Sequence, residues 1–197
     1  MSQSLATAGT YLVQTLFGLY LLAILLRFLL QIARADFYNP VCQAIVKVTN
    51  PPIKPLRRII PGLGGLDISA LVLALIVQTV AICLVLLLHS YQIPNILLVL
   101  GWALTGMLSL VLNVYFFALI ITIILSWVAP HSQNPLAILI QQLVEPVMRP
   151  VRRLIPAIGG LDLTPIFIFI AINLLKIMLI KPVSMALHIP QGLMLGL

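Results

Sequence analysis

A chain of 197 residues with 62% hydrophobic and only 8% charged residues lacks the polar surface of a water-soluble domain, which carries roughly 25% charged residues. A mean hydropathy of +1.19 and a formal net charge of +7 indicate a membrane protein whose few charges are mostly basic. Two cysteines and no Cys-x-x-Cys pair exclude a disulfide framework, a zinc knuckle and c-type haem attachment.

Four apolar runs, at 11–32, 69–91, 107–127 and 166–182, are long enough, or nearly so, to cross about 30 Å of hydrocarbon. The first has no basic residue ahead of Arg27 and is too long for a signal peptide, so it reads as a retained helix. Residues 96–106 either extend the third run or lie in the interface.

Between the first two runs, Asn39-Pro40 signals a helix start, because Asn caps free amides and Pro suits a first helical turn. Val41, Ala44, Ile45 and Val48 then form one apolar stripe, with Gln43, Lys47 and Asn50 off it. Such a segment is expected to lie in the headgroup layer or to pack back on the spans. Pro51 is expected to end it, with the following prolines keeping the backbone out of a long helix. Arg57-Arg58 sits between prolines, and Gly64-Gly65 permits positive φ. Asp67 precedes the second run, where a carboxylate can cap exposed amides.

The same block then returns. Residues 51–67 and 146–162 both read P-x-x-[KR]-P-x-R-R-x-I-P-x-x-G-G-L-D, shifted by a constant 95 positions. Asn134-Pro135 repeats Asn39-Pro40, and Leu136, Leu139, Ile140 and Leu143 repeat the stripe. The chain therefore divides into two repeats, 1–95 with motif loop 39–67 and 96–197 with motif loop 134–162. The expected fold is all-α and membrane-integral. Its four transmembrane helices form two parallel-repeat hairpins, each with an amphipathic segment, related by a pseudo-twofold axis along the membrane normal.

Both motif loops carry the basic residues, while the connection 90–95 has none. The positive-inside rule places the loops in the cytoplasm and both termini outside. That asymmetry accounts for the basic charge without nucleic acid.

Several residues are candidate sites. Arg57, Arg58, Arg152 and Arg153 could anchor topology, bind anionic lipid or phosphate, or pair across the repeats with Asp162 and Asp67. Gly64, Gly65, Gly159 and Gly160 shape the loops. Gln78 and Asn173 are in register between the repeats and suit interhelical hydrogen bonds or the lining of a path, with packing the favoured reading. Lys176 lies within the last run, close enough to the outer surface to snorkel, as Arg27 can inward. Gly101, Thr105 and Ser109, like Ala70 and Ala74, recur every four residues and suit close packing, internal or between copies of the chain. His89 and His188 are offset by 99 rather than 95 positions, which argues against a haem-ligating pair. No nucleophile motif, close acid pair or metal-ligand cluster appears; no enzyme activity, cofactor or metal is expected.

The doubled Arg-Arg, Gly-Gly and Asp block between apolar spans resembles the YggT/YlmG family of small membrane proteins, in its two-copy proteobacterial form. The resemblance runs from about residue 11 to 181 and implies the bacterial inner membrane. It implies an association with osmotic or salt tolerance or, through other members, with division, nucleoid distribution or cytochrome maturation. It carries over no catalytic residue. A scaffold or assembly factor binding a membrane partner or anionic lipid through its basic loops is the favoured expectation. The alternative is a small channel or transporter affecting ion or osmolyte balance.

Overall fold

The computed structural model describes residues 3–62, 64–129, 132–154, 162–190 and 193. Helix α1 spans Gln3–Ile32, α2 Pro40–Ile59, α3 Ile68–Leu88, α4 Ile96–Val128 and α5 Pro135–Leu154. The last span, Thr164–Ala186, consists of α6 Thr164–Leu175, a π-helical turn Lys176–Ile180 and α7 Lys181–Ala186. Helices α1, α3, α4 and this last path are each long and apolar enough to cross a membrane. Residues 96–106 belong to α4 without a break.

Sequence sets the helix starts. Asn39, Asn95 and Asn134 each accept a hydrogen bond from the backbone N–H two residues on, at 2.9 Å, which satisfies an amide the helix leaves open. The π turn lies just before Pro182. Proline cannot donate to the carbonyl four residues back, and widening the preceding turn accommodates that loss.

The prolines of the motif do not end the amphipathic helices. Helix α2 continues through Pro51, Pro52 and Pro55, and α5 through Pro146 and Pro150. Pro51, Pro55, Pro146 and Pro150 are exposed. The carbonyls they leave unbonded therefore lie on the open face, while the opposite face stays packed. That buried face is also rotated from the expected stripe. Cys42, Thr49 and Ile53 are buried on α2, whereas Ala44 and Val48 are exposed. On α5 the buried set is Ala137, Leu139, Leu143, Val144 and Met148, and Leu136 is half exposed. Both helices lie against the chain's own spans.

The doubled sequence is not doubled in packing. Helix α1 packs closely on α3, α3 on α4, and α4 on α6 and the π turn, but α6 makes no contact with α1 among the described residues. The four spans thus form an open row instead of a closed twofold pair. Side-chain size explains the difference. On α3, Ala70, Ala74 and Ala81 are all but fully buried, and small residues let backbones approach where lipid supplies no hydrophobic drive. The equivalent positions of the second repeat hold Pro165, Phe169 and Lys176, whose bulk makes the packing of α6 on α4 less extensive than that of α3 on α1.

Leu21, Ile24 and Leu25 of α1 interlock with the alanine face of α3. Ile82, Val85 and Leu86 meet Val99, Trp102 and Ala103 toward the far end, where the Trp102 indole donates to Leu187 O at 2.9 Å. Gly101 faces Leu187 so closely that an added Cβ would sit 3.3 Å from its Cδ1.

Candidate functional site

Helices α2 and α5 lie side by side at one end of the bundle. Asn39 Nδ2 donates to Pro135 O at 2.7 Å, and Asp36 N–H donates to Gln142 Oε1 at 3.0 Å. Both arginine pairs, in the last turns of α2 and α5, therefore occupy the same end.

In the first repeat, Arg57 Nε reaches both carboxylate oxygens of Asp67 at 3.2 Å, and its Nη2 donates to Oδ2 as well. Asp67 is only 3% exposed, so its charge needs nearby cations. A second cation is Arg27 of α1, itself 5% exposed, with Nε 3.9 Å from Asp67 Oδ2. Arg27 Nη1 also donates to Thr49 Oγ1 at 2.8 Å and Asn50 Oδ1 at 2.9 Å. Arg27 thus turns into the protein instead of only snorkelling along it. The bond to Asp67 pushes the Arg57 guanidinium further up, against a smaller effect of burial.

The turn before α3 makes this possible. Gly64 and Gly65 both have positive φ, 60° and 82°, and Gln31 Nε2 donates to Gly65 O at 2.7 Å. Asp67 stands at the N-terminus of α3 but its side chain makes no cap bond; its oxygens face the arginines.

The second repeat is built differently from the same motif. Asp162 Oδ1 accepts from Thr164 N–H at 2.9 Å, so this carboxylate does cap its helix. Its Oδ2 takes Arg152 Nε at 3.2 Å, while Arg152 Nη1 lies 3.3 Å from Glu145 Oε1. Asp162 is 39% exposed, against 3% for Asp67. Burial alone would push the Asp162 carboxyl up, but the bonds from Thr164 and Arg152 hold it below the ordinary range.

These pairs correct the cross-repeat expectation. Arg57 binds Asp67 and Arg152 binds Asp162, each within its own repeat, because the motif helix brings its arginine to the start of the next span. Gly159 and Gly160 lie outside the described residues.

Five further cations of α2 and α5 are exposed: Lys47, Lys54, Arg58, Arg149 and Arg153. None of them makes an ion pair among the described residues.

The intramembrane polar residues separate. Gln78 is fully buried, and neither amide atom has a partner among the described residues. Asn173 is exposed on α6 and donates to Phe169 O of its own helix at 2.9 Å. Lys176 turns to a neighbouring helix instead of extending toward the end of its span. Its Nζ donates to Asn113 Oδ1 and stands 5.5 Å from the Phe116 ring centre, in a cleft of about 350 Å³ also lined by Ser109, Lys181 and Ser184. An acceptor and a ring face at that depth stabilise the ammonium without a reach to the headgroups. His89 Nε2 lies 3.0 Å from Thr10 Oγ1. Both cysteines are free.

Arg27, Glu145 and Asn113 are the members that the motif does not reveal. For Arg27 the signal was its being the one charge inside its span.

The doubled unit described above is matched by one family model, CCB3/YggT, at residues 6–88 and again at 101–183. An uncharacterized protein of Pseudomonas aeruginosa is 50% identical, over 96% of this chain and 96% of its own length. An uncharacterized protein of Vibrio alginolyticus is 41% identical over 83% of this chain and 89% of its own. The uncharacterized protein YggT of Escherichia coli K12 is 35% identical over 85% and 86%. No solved structure matches. Two family matches at the spacing of the internal repeat, together with relatives similar over nearly their whole length, make this chain a member of the CCB3/YggT family.

Proposed function

We propose that this multi-pass membrane protein is a non-enzymatic scaffold of the bacterial inner membrane that gathers anionic phospholipid, and with it membrane partners, beneath its paired amphipathic helices. The observation that carries the reading is the set of five exposed cations on α2 and α5, Lys47, Lys54, Arg58, Arg149 and Arg153, outside any ion pair among the described residues. Arg57 and Arg152 are taken up by structural carboxylates; these five are not. A cation near an anionic leaflet contributes about 1 kcal/mol, and two adjoining helices sum that attraction over one surface. On this reading both basic helices face the cytoplasm, both termini lie outside, and stress tolerance or assembly of other membrane proteins follows from the lipid and partners held there.

The test is native mass spectrometry of the protein released from lipid vesicles of phosphatidylglycerol and phosphatidylethanolamine. The native chain should retain the anionic lipid preferentially, and a variant with all five cations changed to Gln should lose that preference. Equal retention of both lipids by the native chain would overturn the reading.

A second reading rests on the Lys176–Asn113 cleft, a polar recess inside the spans. A small channel or transporter would use it to admit ions or osmolytes. Flux into reconstituted vesicles, above empty vesicles and lost in Lys176→Met, would favour that reading over the scaffold.

A further inference from the structure

The two repeats offer an internal comparison at one place, the acceptor set around Arg27. In the first repeat its guanidinium is held by Thr49, Asn50 and Asp67. The constant shift of 95 positions puts Thr122 where Arg27 stands, and Val144, Glu145 and Asp162 where those three stand. All four equivalents line one cavity of about 770 Å³, with Arg152 and Gln141 beside them. The one carboxylate is kept and a second is added, because Glu replaces Asn50, while Val144 removes the hydroxyl of Thr49; the arginine is missing. Two guanidinium groups serve one carboxylate in the first repeat, whereas one serves two carboxylates in the second.

We infer that this cavity of the second repeat is a binding site for a guanidinium group supplied from outside the chain. The shape of the request is set by the first repeat. A flat, positively charged group with several N–H donors matches carboxylate oxygens in a way that a compact ammonium does not. A neutral amide would leave the second negative charge unbalanced. Access is open: Glu145 and Asp162 are 50% and 39% exposed, at the end of the bundle where α2 and α5 lie. The hydroxyl of Thr122 donates to Ala118 O of its own helix at 2.8 Å, so it does not take the place of the absent cation. This site is independent of lipid binding by the five exposed cations, which lie outside the cavity lining.

The experiment is calorimetric titration of the detergent-purified full chain. Methylguanidinium tests a free small molecule, and acetyl-Gly-Arg-Gly-amide tests an arginine presented by a partner protein. Tetramethylammonium, with charge but no donors, and urea, with donors but no charge, are the controls. Saturable binding of at least one guanidinium probe and of neither control is expected; the peptide alone points to a partner, methylguanidinium in addition to a small metabolite. Glu145→Gln should weaken binding about tenfold, as loss of one charged partner does. Thr122→Arg should rebuild the occupant of the first repeat and abolish binding, with a thermal midpoint no lower than that of the native chain. No saturable binding of either probe, or binding undiminished in Glu145→Gln, would overturn the assignment.

Discussion

Arg27 of α1 and Asp67 at the head of α3 meet 3.9 Å apart with both side chains more than nine-tenths buried, at 5% and 3% exposure. With Arg57 on the same carboxylate oxygen, this contact ties three helices together at one end of the bundle. Removing one partner of a buried pair leaves an uncompensated charge, at a cost of about 3–5 kcal/mol. Asp67→Asn should therefore lower stability by that amount in denaturant unfolding followed in detergent. Asp162→Ala, at the open counterpart, should lose only about 1 kcal/mol, the usual effect of a lost cap. Equal losses at the two positions would contradict the difference between the repeats.

The open counterpart carries a pH dependence of known sign. The carboxyl of Asp162 is held below its ordinary value of 3.8, so the folded state binds this proton less readily than the unfolded chain. The resulting stability is present above pH 3.8 and is lost as pH falls through the lowered folded value. Thermal midpoints followed from neutral to acid pH should fall less steeply for Asp162→Asn than for the native chain.

Gln78 is fully buried with neither amide atom bonded among the described residues. Burying an unpaired amide costs about 1–3 kcal/mol. Gln78→Leu, close in volume, should stabilise the protein by that order. A destabilised variant would mean that the amide is bonded inside the bundle.

At Gly64 and Gly65 nothing lies within 4 Å of an added Cβ, yet both have positive φ. The cost of Gly65→Ala is then conformational alone, about 1–2 kcal/mol. Gly65→Asn should lose less, since Asn tolerates this backbone region better. Unfolding midpoints of the two variants, compared in one detergent, test the order.

Much of this was legible in the residues. Hydropathy located the four spans, Asn-Pro located two helix starts, and the constant shift picked out the arginines and aspartates of both pairs, though not which joins which. What the motif could not show was governed by side chains outside it. Proline usually ends a helix, but here Pro51 and Pro146 lie on an open face, which tertiary packing of the other face overrides. The pairing of Arg57 with Asp67 instead of Asp162 depends on the helix continuing to Ile59, a continuation that the motif's prolines argue against in the sequence. Identical motifs suggested identical surroundings, yet Ala81 against Lys176 and Arg27 against Thr122 decide which hairpin closes and which stays open.

The most direct test is the sidedness of Arg58 and Arg153. Each is replaced singly by Cys in a chain whose Cys42 and Cys83 are changed to Ser, and a membrane-impermeant maleimide is applied to right-side-out and inverted vesicles. Two like hairpins with adjoining basic helices predict that both positions label only in inverted vesicles, on the cytoplasmic face. Labelling of the two positions from opposite faces would contradict that arrangement, and labelling of both only in right-side-out vesicles would reverse the orientation.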